Sequence, residues 1–148
     1  MSSGLFVLIL PGNLLLDFAP QPDGSLPANA VQRYKEFGDW IRGCYGRPVQ
    51  ATNGTGLVLV VQLAGAQRVD RAVVQEAQGQ GERVRGYALA AMVGGAWQTV
   101  SQGVSVGNKR IDVWAGGAVV ATAVRLTVTS AVDVPVISFF GVYDPANC

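Results

Sequence analysis

With 148 residues, 49% of them hydrophobic and only 14% charged, the chain holds enough material for one core of ordinary domain size and not for two full domains. Eleven basic and ten acidic residues, a formal net charge of +1, are spread without the basic stripe that a phosphate backbone requires, so nucleic acid is not an expected partner. Histidine is absent, which removes Ser-His-Asp and Cys-His nucleophiles and imidazole acid–base chemistry, and two cysteines are too few for a four-ligand zinc cluster, so no metal and no cofactor is implied.

The first apolar run, "GLFVLIL", lacks the basic n-region and the small-residue cleavage site of a signal peptide and reads as a buried strand. No apolar run approaches the roughly 20 residues that cross a bilayer, so no membrane span is expected. A second run breaks into a proline- and glycine-rich turn, "LPGNLLLDFAPQPDGSLP", as if a larger domain were closing there. A helix follows in "SLPANAVQRYKEFGDWIRGCYG", with Ser25 as N-cap, Pro27 in the tolerant first turn and Gly43 as its stop. Val31, Tyr34, Gly38 and Ile41 recur at three- and four-residue spacing, while Arg33, Lys35, Glu36 and Asp39 fall largely off that stripe, so one face should lie on a partner surface. Tyr34, Phe37 and Trp40 read as core aromatics.

After about residue 48 the texture changes to short Val-, Leu- and Ile-rich segments separated by Gly, Asn and Gln clusters. These are "GLVLVVQLA", "RVDRAVVQEA", "RVRGYALAAMV", "AWQTVSQ", "KRIDVWA", "ATAVRLTVTSA" and "VPVISFFGVY". Seven or so strands with no helical pattern between them predict a mainly β protein, an antiparallel β-sandwich preceded by one α-helix and an N-terminal extended segment. The missing crossover helices exclude a parallel α/β sheet. The Gly-Gly pairs in "MVGGAWQTV" and "VWAGGAVV" each predict a tight hairpin. Trp97 should pack in the core. Asp70, Glu76 and Glu82 sit among strand residues with no evident pairing and read as carboxylates on solvated faces, not as general acids.

In this order, "NLLLDFAPQPDGSLP", "YKEFGDWIR", "ERVRGYALAAMVGGAWQTVSQGVSVGNKRID" and "ATAVRLTV" resemble the C-terminal part of α-L-fucosidases of glycoside hydrolase family 29, plant-type ones in particular. The likeness runs from about Gly12 to Val128. It implies that residues 1–47 are the end of a catalytic (β/α)8-type barrel plus a linker helix, and that residues 48–148 form a galactose-binding-like, discoidin-related jelly roll. The family usually has Asn at the position of Asp17. The nucleophilic Asp of such enzymes lies upstream of this region, so no residue here matches it. A retaining glycosidase needs two carboxyl groups about 5–5.5 Å apart, and the resemblance therefore implies a chain that is not an enzyme. Leu14, Leu15, Leu16 and Phe18, core residues of the barrel in the family, are expected to form an interface here.

Two functions of different class follow from the resemblance. One is a structural or protein-interaction component of a larger assembly, with other protein chains as partners. The other is a carbohydrate-binding module, or C-terminal fragment, of a fucosidase-like hydrolase, with a glycan as partner. Asn108, Lys109, Arg110 and Trp114, gathered in "GNKRIDVWAGG", are the candidate carbohydrate contacts, although Trp114 also reads as a strand residue packed inside. Turns made mostly of Gly, Ala, Gln and Val, with 8% aromatic residues overall, favour the structural role. The sequon "NGT" at Asn53 is a glycosylation acceptor that suits a secreted protein. By resemblance the compartment is extracellular or endomembrane; the lack of a clear signal peptide leaves an intracellular assembly as the alternative. Discoidin-related domains commonly tie their two ends with a disulfide, which implies a Cys44–Cys148 bond in an oxidising compartment. A frayed "DPANC" end and an undetermined compartment lean instead to two free thiols.

Overall fold

The computed structural model of the chain describes residue 17, residues 19–144, and residues 146 and 148. The expectations for Leu14, Leu15, Leu16 and Phe18 lie outside the described residues; of the N-terminal extended segment, Asp17 and residues 19–26 are described and exposed.

Helix α1 spans Ala28–Tyr45 and begins later than a Ser25 cap predicts. Ser25 is taken up by a local turn: its N–H and hydroxyl both donate to Asp23 Oδ1, at 3.0 and 2.7 Å. Pro27 is the N-cap residue, and its carbonyl accepts from Ala30 and Val31. Gly43 does not stop the helix, which runs on to Tyr45 and closes with Gly46 N–H donating to the Arg42 carbonyl at 3.0 Å. The last turn carries Cys44, fully buried, and Tyr45, packed on Tyr143. Tertiary anchoring of these two side chains outweighs the roughly 1 kcal/mol that an interior glycine costs a helix.

Eight strands follow among the described residues: β1 (Gln50–Thr55), β2 (Val58–Val69), β3 (Arg71–Glu76), β4 (Val84–Val93), β5 (Ala96–Gly103), β6 (Arg110–Val113), β7 (Val119–Ala131) and β8 (Val136–Tyr143). All pairings are antiparallel, in a first sheet ordered β1-β8-β3-β6 and a second ordered β2-β7-β4-β5. The architecture is therefore the expected antiparallel β-sandwich behind one helix. The segment read as one strand, "RVDRAVVQEA", divides at Asp70, where the chain leaves the second sheet for the first. Strand β1, "QATNGT", carries no apolar alternation and escapes a sequence reading; it forms as an edge strand laid against β8.

Alternation builds the core. Ala72 and Val74 of β3, Ile137, Phe140 and Val142 of β8, Tyr87, Leu89 and Ala91 of β4, and Val124, Leu126 and Val128 of β7 form one buried cluster between the sheets. Burying a side chain of this size contributes about 1.5–3 kcal/mol, so these alternating positions carry most of the fold's apolar stabilisation. Gly94 and Gly95, at φ 58° and 84°, make the two-residue hairpin between β4 and β5, with Val93 opposite Ala96. The second Gly-Gly pair does not make a hairpin. Strands β6 and β7 belong to different sheets, and Gly116–Gly117 carries the chain from one to the other, Gly117 N–H donating to the Trp114 carbonyl at 2.9 Å. Trp114, 3% exposed, sits in the core cluster at that crossing.

Candidate binding surface

The outward face of the first sheet is set by the same alternation that fills the core. On β3 it presents Arg71, Val73 and Gln75, and the register places them opposite Tyr143, Gly141 and Phe139 of β8. Ile111 of β6 lies opposite Val73 from the other side. The end of α1 and the segment after it, with Tyr45 and Pro48, come down over this face and leave an open groove of about 320 Å³. Its floor is Val73 and Ile111, and its walls include Tyr45, Phe139 and Tyr143. Gln75 and Lys109 contribute the polar ends. Gly141 shapes it: a Cβ there would stand 2.6 Å from Phe139 Cζ and 3.3 Å from Pro48 Cβ, so only glycine lets the phenyl ring lie down along the strand.

One end of the groove is clasped. Arg71 donates to both carboxylate oxygens of Asp70, at 2.7 and 2.8 Å, and to Cys148 Sγ at 2.7 Å, with its guanidinium carbon 5.6 Å from the Tyr45 ring centre. The hydrogen bonds that Arg71 donates to Asp70, more than any other cause, raise the Arg71 pKa above its ordinary value. Phe37, Trp40, Tyr45 and Tyr143 continue as a string of ring contacts, 6.0, 5.7 and 5.9 Å between successive centres, from the helix onto the sheet. Burial pushes the Tyr143 hydroxyl pKa upward. Cys44 and Cys148 are joined by a disulfide with Cα atoms 4.4 Å apart, which ties the end of α1 to the chain terminus.

The far end of β3 is held differently. Glu76, expected on a solvated face, is 3% exposed. Its Oε1 accepts from the N–H of Arg83 and Val84, at 2.7 and 3.0 Å, and its Oε2 from Gly107 at 2.8 Å. Three irregular backbone donors at the sandwich end need an acceptor, and the buried carboxylate supplies it. Asp70 is ion-paired and largely covered; Glu82 alone of the three is exposed.

The candidate carbohydrate residues are not brought together. Asn108 is exposed on the turn before β6, and Lys109 beside it lines the groove. Arg110 is committed elsewhere: its Nε donates to Asp112 Oδ1 at 3.1 Å, while Tyr87 donates to Asp112 Oδ2 at 2.6 Å. Burial, and then the Asp112 contact, push the Tyr87 hydroxyl far above the ordinary tyrosine value. Trp114 stands inside the sandwich, and its Nε1 has no hydrogen-bond partner among the described residues, so it presents no ring to solvent. Trp97, expected in the core, lies instead on the outer face of the second sheet, where the Arg125 guanidinium stacks over it at 4.4 Å. Asn53 is exposed on edge strand β1. Sequence reasoning missed Tyr45, Gln75, Phe139 and Tyr143 because they come from three separate elements. The legible hint was the Phe-Phe-Gly of β8, which must put one ring inside and one outside.

Among the described residues no group of three or more His, Cys, Asp or Glu side chains is placed to hold a metal ion, and no helix is long and apolar enough to cross a membrane. No protein-family model matches the chain, and no curated protein does. Solved structures do. A protein of Bacteroides thetaiotaomicron assigned as an α-L-fucosidase is 41% identical over 84% of this chain and superposes with a TM-score of 0.81, the match taking in 28% of that protein. The Ruminococcus gnavus family 29 fucosidase, solved in complex with fucose, matches over the same 84% at 20% identity and a TM-score of 0.72, covering 32% of its length. Chitosan-binding module 1 from a chitosanase/glucanase of Paenibacillus sp. IK-5 shares 18% identity over 63% of this chain and 74% of the module, with a TM-score of 0.50, a likeness of fold alone. The chain thus spans about a third or less of the fucosidases it matches, and it is similar to their C-terminal β-sandwich region, the part without the catalytic barrel.

Proposed function

We propose that this chain is a non-catalytic, galactose-binding-like module that acts as a structural and protein-interaction component of a larger, fucosidase-type assembly. The observation that supports this reading is the kind of structure matched: 84% of the chain superposes, at a TM-score of 0.81, on a β-sandwich region of a fucosidase. The chemistry of the carboxylates supports it. Glu76 is consumed by three backbone donors and Asp112 by Tyr87 and Arg110, so neither is free to act on a glycosidic bond. The disulfide and the exposed Asn53 sequon favour an oxidising, secretory compartment. The decisive experiment has two parts. The purified chain should hydrolyse an aryl α-L-fucoside no faster than buffer, and turnover abolished by substituting one Asp or Glu would sink the non-catalytic reading. Co-expressed with the Bacteroides fucosidase lacking its matched region, the chain should co-purify and restore soluble activity. Failure to associate removes the structural role.

A second reading, a carbohydrate-binding module, is favoured by one specific observation: the aromatic-walled groove on the first sheet, in a fold shared with a chitosan-binding module. A glycan array probed with the intact, oxidised chain tests it, and an array without signal above background would remove it.

A further inference from the structure

We infer that the groove between the end of α1 and the outer face of the first sheet binds a single pyranose ring bearing a carboxylate, a uronic acid. This rests on the carbohydrate-binding reading and names its ligand class and its residues. At about 320 Å³ the space falls at the low end of the roughly 300–1,000 Å³ typical of small-molecule sites, which suits one sugar ring better than a chain. The walls are aromatic. Phe139 is laid along the sheet by the missing Cβ of Gly141, and Tyr45 stands edge-to-face with Tyr143 at an interplanar angle of 63°, which gives the apolar C–H face of a pyranose surfaces to pack on.

The polar ends are unspent. The Gln75 amide makes no side-chain hydrogen bond among the described residues, and its strand position fixes it at the groove. Lys109 makes no ion pair among the described residues, whereas Arg71 nearby is bound to Asp70. Among the described residues no Asp or Glu lines the groove, and the nearby Glu82 carboxylate lies outside it, against Gly107. The turn leading to Lys109 is fixed from beneath, Gly107 donating to Glu76 and accepting from the Glu76 N–H at 2.9 Å. A cation carried on a held turn at one end of an aromatic, amide-bearing groove complements a ring with one negative substituent.

The test is an amide NMR titration of the intact, oxidised chain with galacturonic acid, its neutral counterpart galactose, and fucose. Galacturonic acid should shift the amides of Gln75, Lys109, Ile111 and Phe139, and bind at least about tenfold tighter than galactose, the ratio a charge-assisted contact supplies. Lys109→Gln should erase that ratio while leaving the thermal midpoint unchanged, and Phe139→Ala should weaken both sugars by about tenfold. Equal binding of galactose and galacturonic acid, or a ratio untouched by Lys109→Gln, overturns the acidic-sugar assignment and leaves the carbohydrate-binding reading standing. Shifts confined to other surfaces overturn the groove. No shift with any of the three sugars, joined to a silent glycan array, removes both.

Discussion

The two ends of strand β3 are fastened in opposite ways, and the contrast shows where this sandwich is fragile. At the Glu76 end, one buried carboxylate serves three backbone donors from two separate segments. At the Arg71 end the load is spread over an ion pair with Asp70, a ring contact with Tyr45, the Tyr45–Tyr143 pair and the Cys44–Cys148 bond. A single acceptor has no substitute, because two of the donors it leaves behind are buried and the third is part-buried. A shared clasp loses one contact at a time. Stability should therefore be concentrated in one residue at the first end and distributed at the second.

The largest expected break is Glu76→Ala. Orphaning three backbone N–H groups, one of them only part-buried, at about 1–3 kcal/mol each should lower stability by at least about 3 kcal/mol and loosen the turn before β6. Urea denaturation together with hydrogen exchange at Gly107 and Val84 measures it; a loss below about 1 kcal/mol would mean that water replaces the carboxylate freely. Next comes the covalent part of the other end. Changing Cys44 and Cys148 together to serine should cost about 2–4 kcal/mol, the usual range for a bond closing a long loop, the two cysteines standing 104 positions apart. Reducing the wild-type chain should reproduce the same midpoint, and no change on reduction would show that the bond does not form in solution.

Tyr87→Phe sharpens the comparison from inside the sandwich, where Asp112 keeps Arg110 but loses its shortest donor. A loss of about 1–2 kcal/mol is expected. It carries a pH signature. The folded pKa of Tyr87 lies above its unfolded value because burial, chiefly, disfavours the phenolate. Stability is therefore full below the ordinary tyrosine pKa of about 10 and falls as pH rises beyond it. The alkaline decline of the wild type should be shallower in Tyr87→Phe, though Tyr143, raised in the same direction, keeps part of it. Identical alkaline slopes would exclude Tyr87 as the source. Smallest of the four, Arg71→Lys keeps the charge and gives up the two-pronged bond to Asp70. About 0.5–1.5 kcal/mol should be lost, against several for Glu76; a loss equal to that of Glu76→Ala would refute the shared clasp.

Why some of this was readable and some was not comes down to the range of the forces involved. Strand periodicity, the absence of crossover helices and the Gly94–Gly95 hairpin are local properties, and the chain's own alternation was enough to specify an antiparallel sandwich behind one helix. The resemblance of its ordered motifs to family 29 fucosidases is likewise legible in the sequence. The same local rule misled at Gly116–Gly117, where an equivalent dipeptide carries the chain across to the other sheet because Trp114 is drawn into the core. It misled again at Gly43, which continues as helix because Cys44 and Tyr45 are buried by residues about a hundred positions away. Which of the polar residues were spent was also beyond the sequence. Glu76 read as a surface charge and Arg110 as a candidate sugar contact until the meeting of distant strands gave each a buried partner, while Lys109, one residue from Arg110, was left at the groove without an ion pair among the described residues. Alternation along one strand decides only which way a side chain points. What it meets there is decided when β3, β6, β8 and the end of α1, separated in the chain, are packed together by the burial of their other faces.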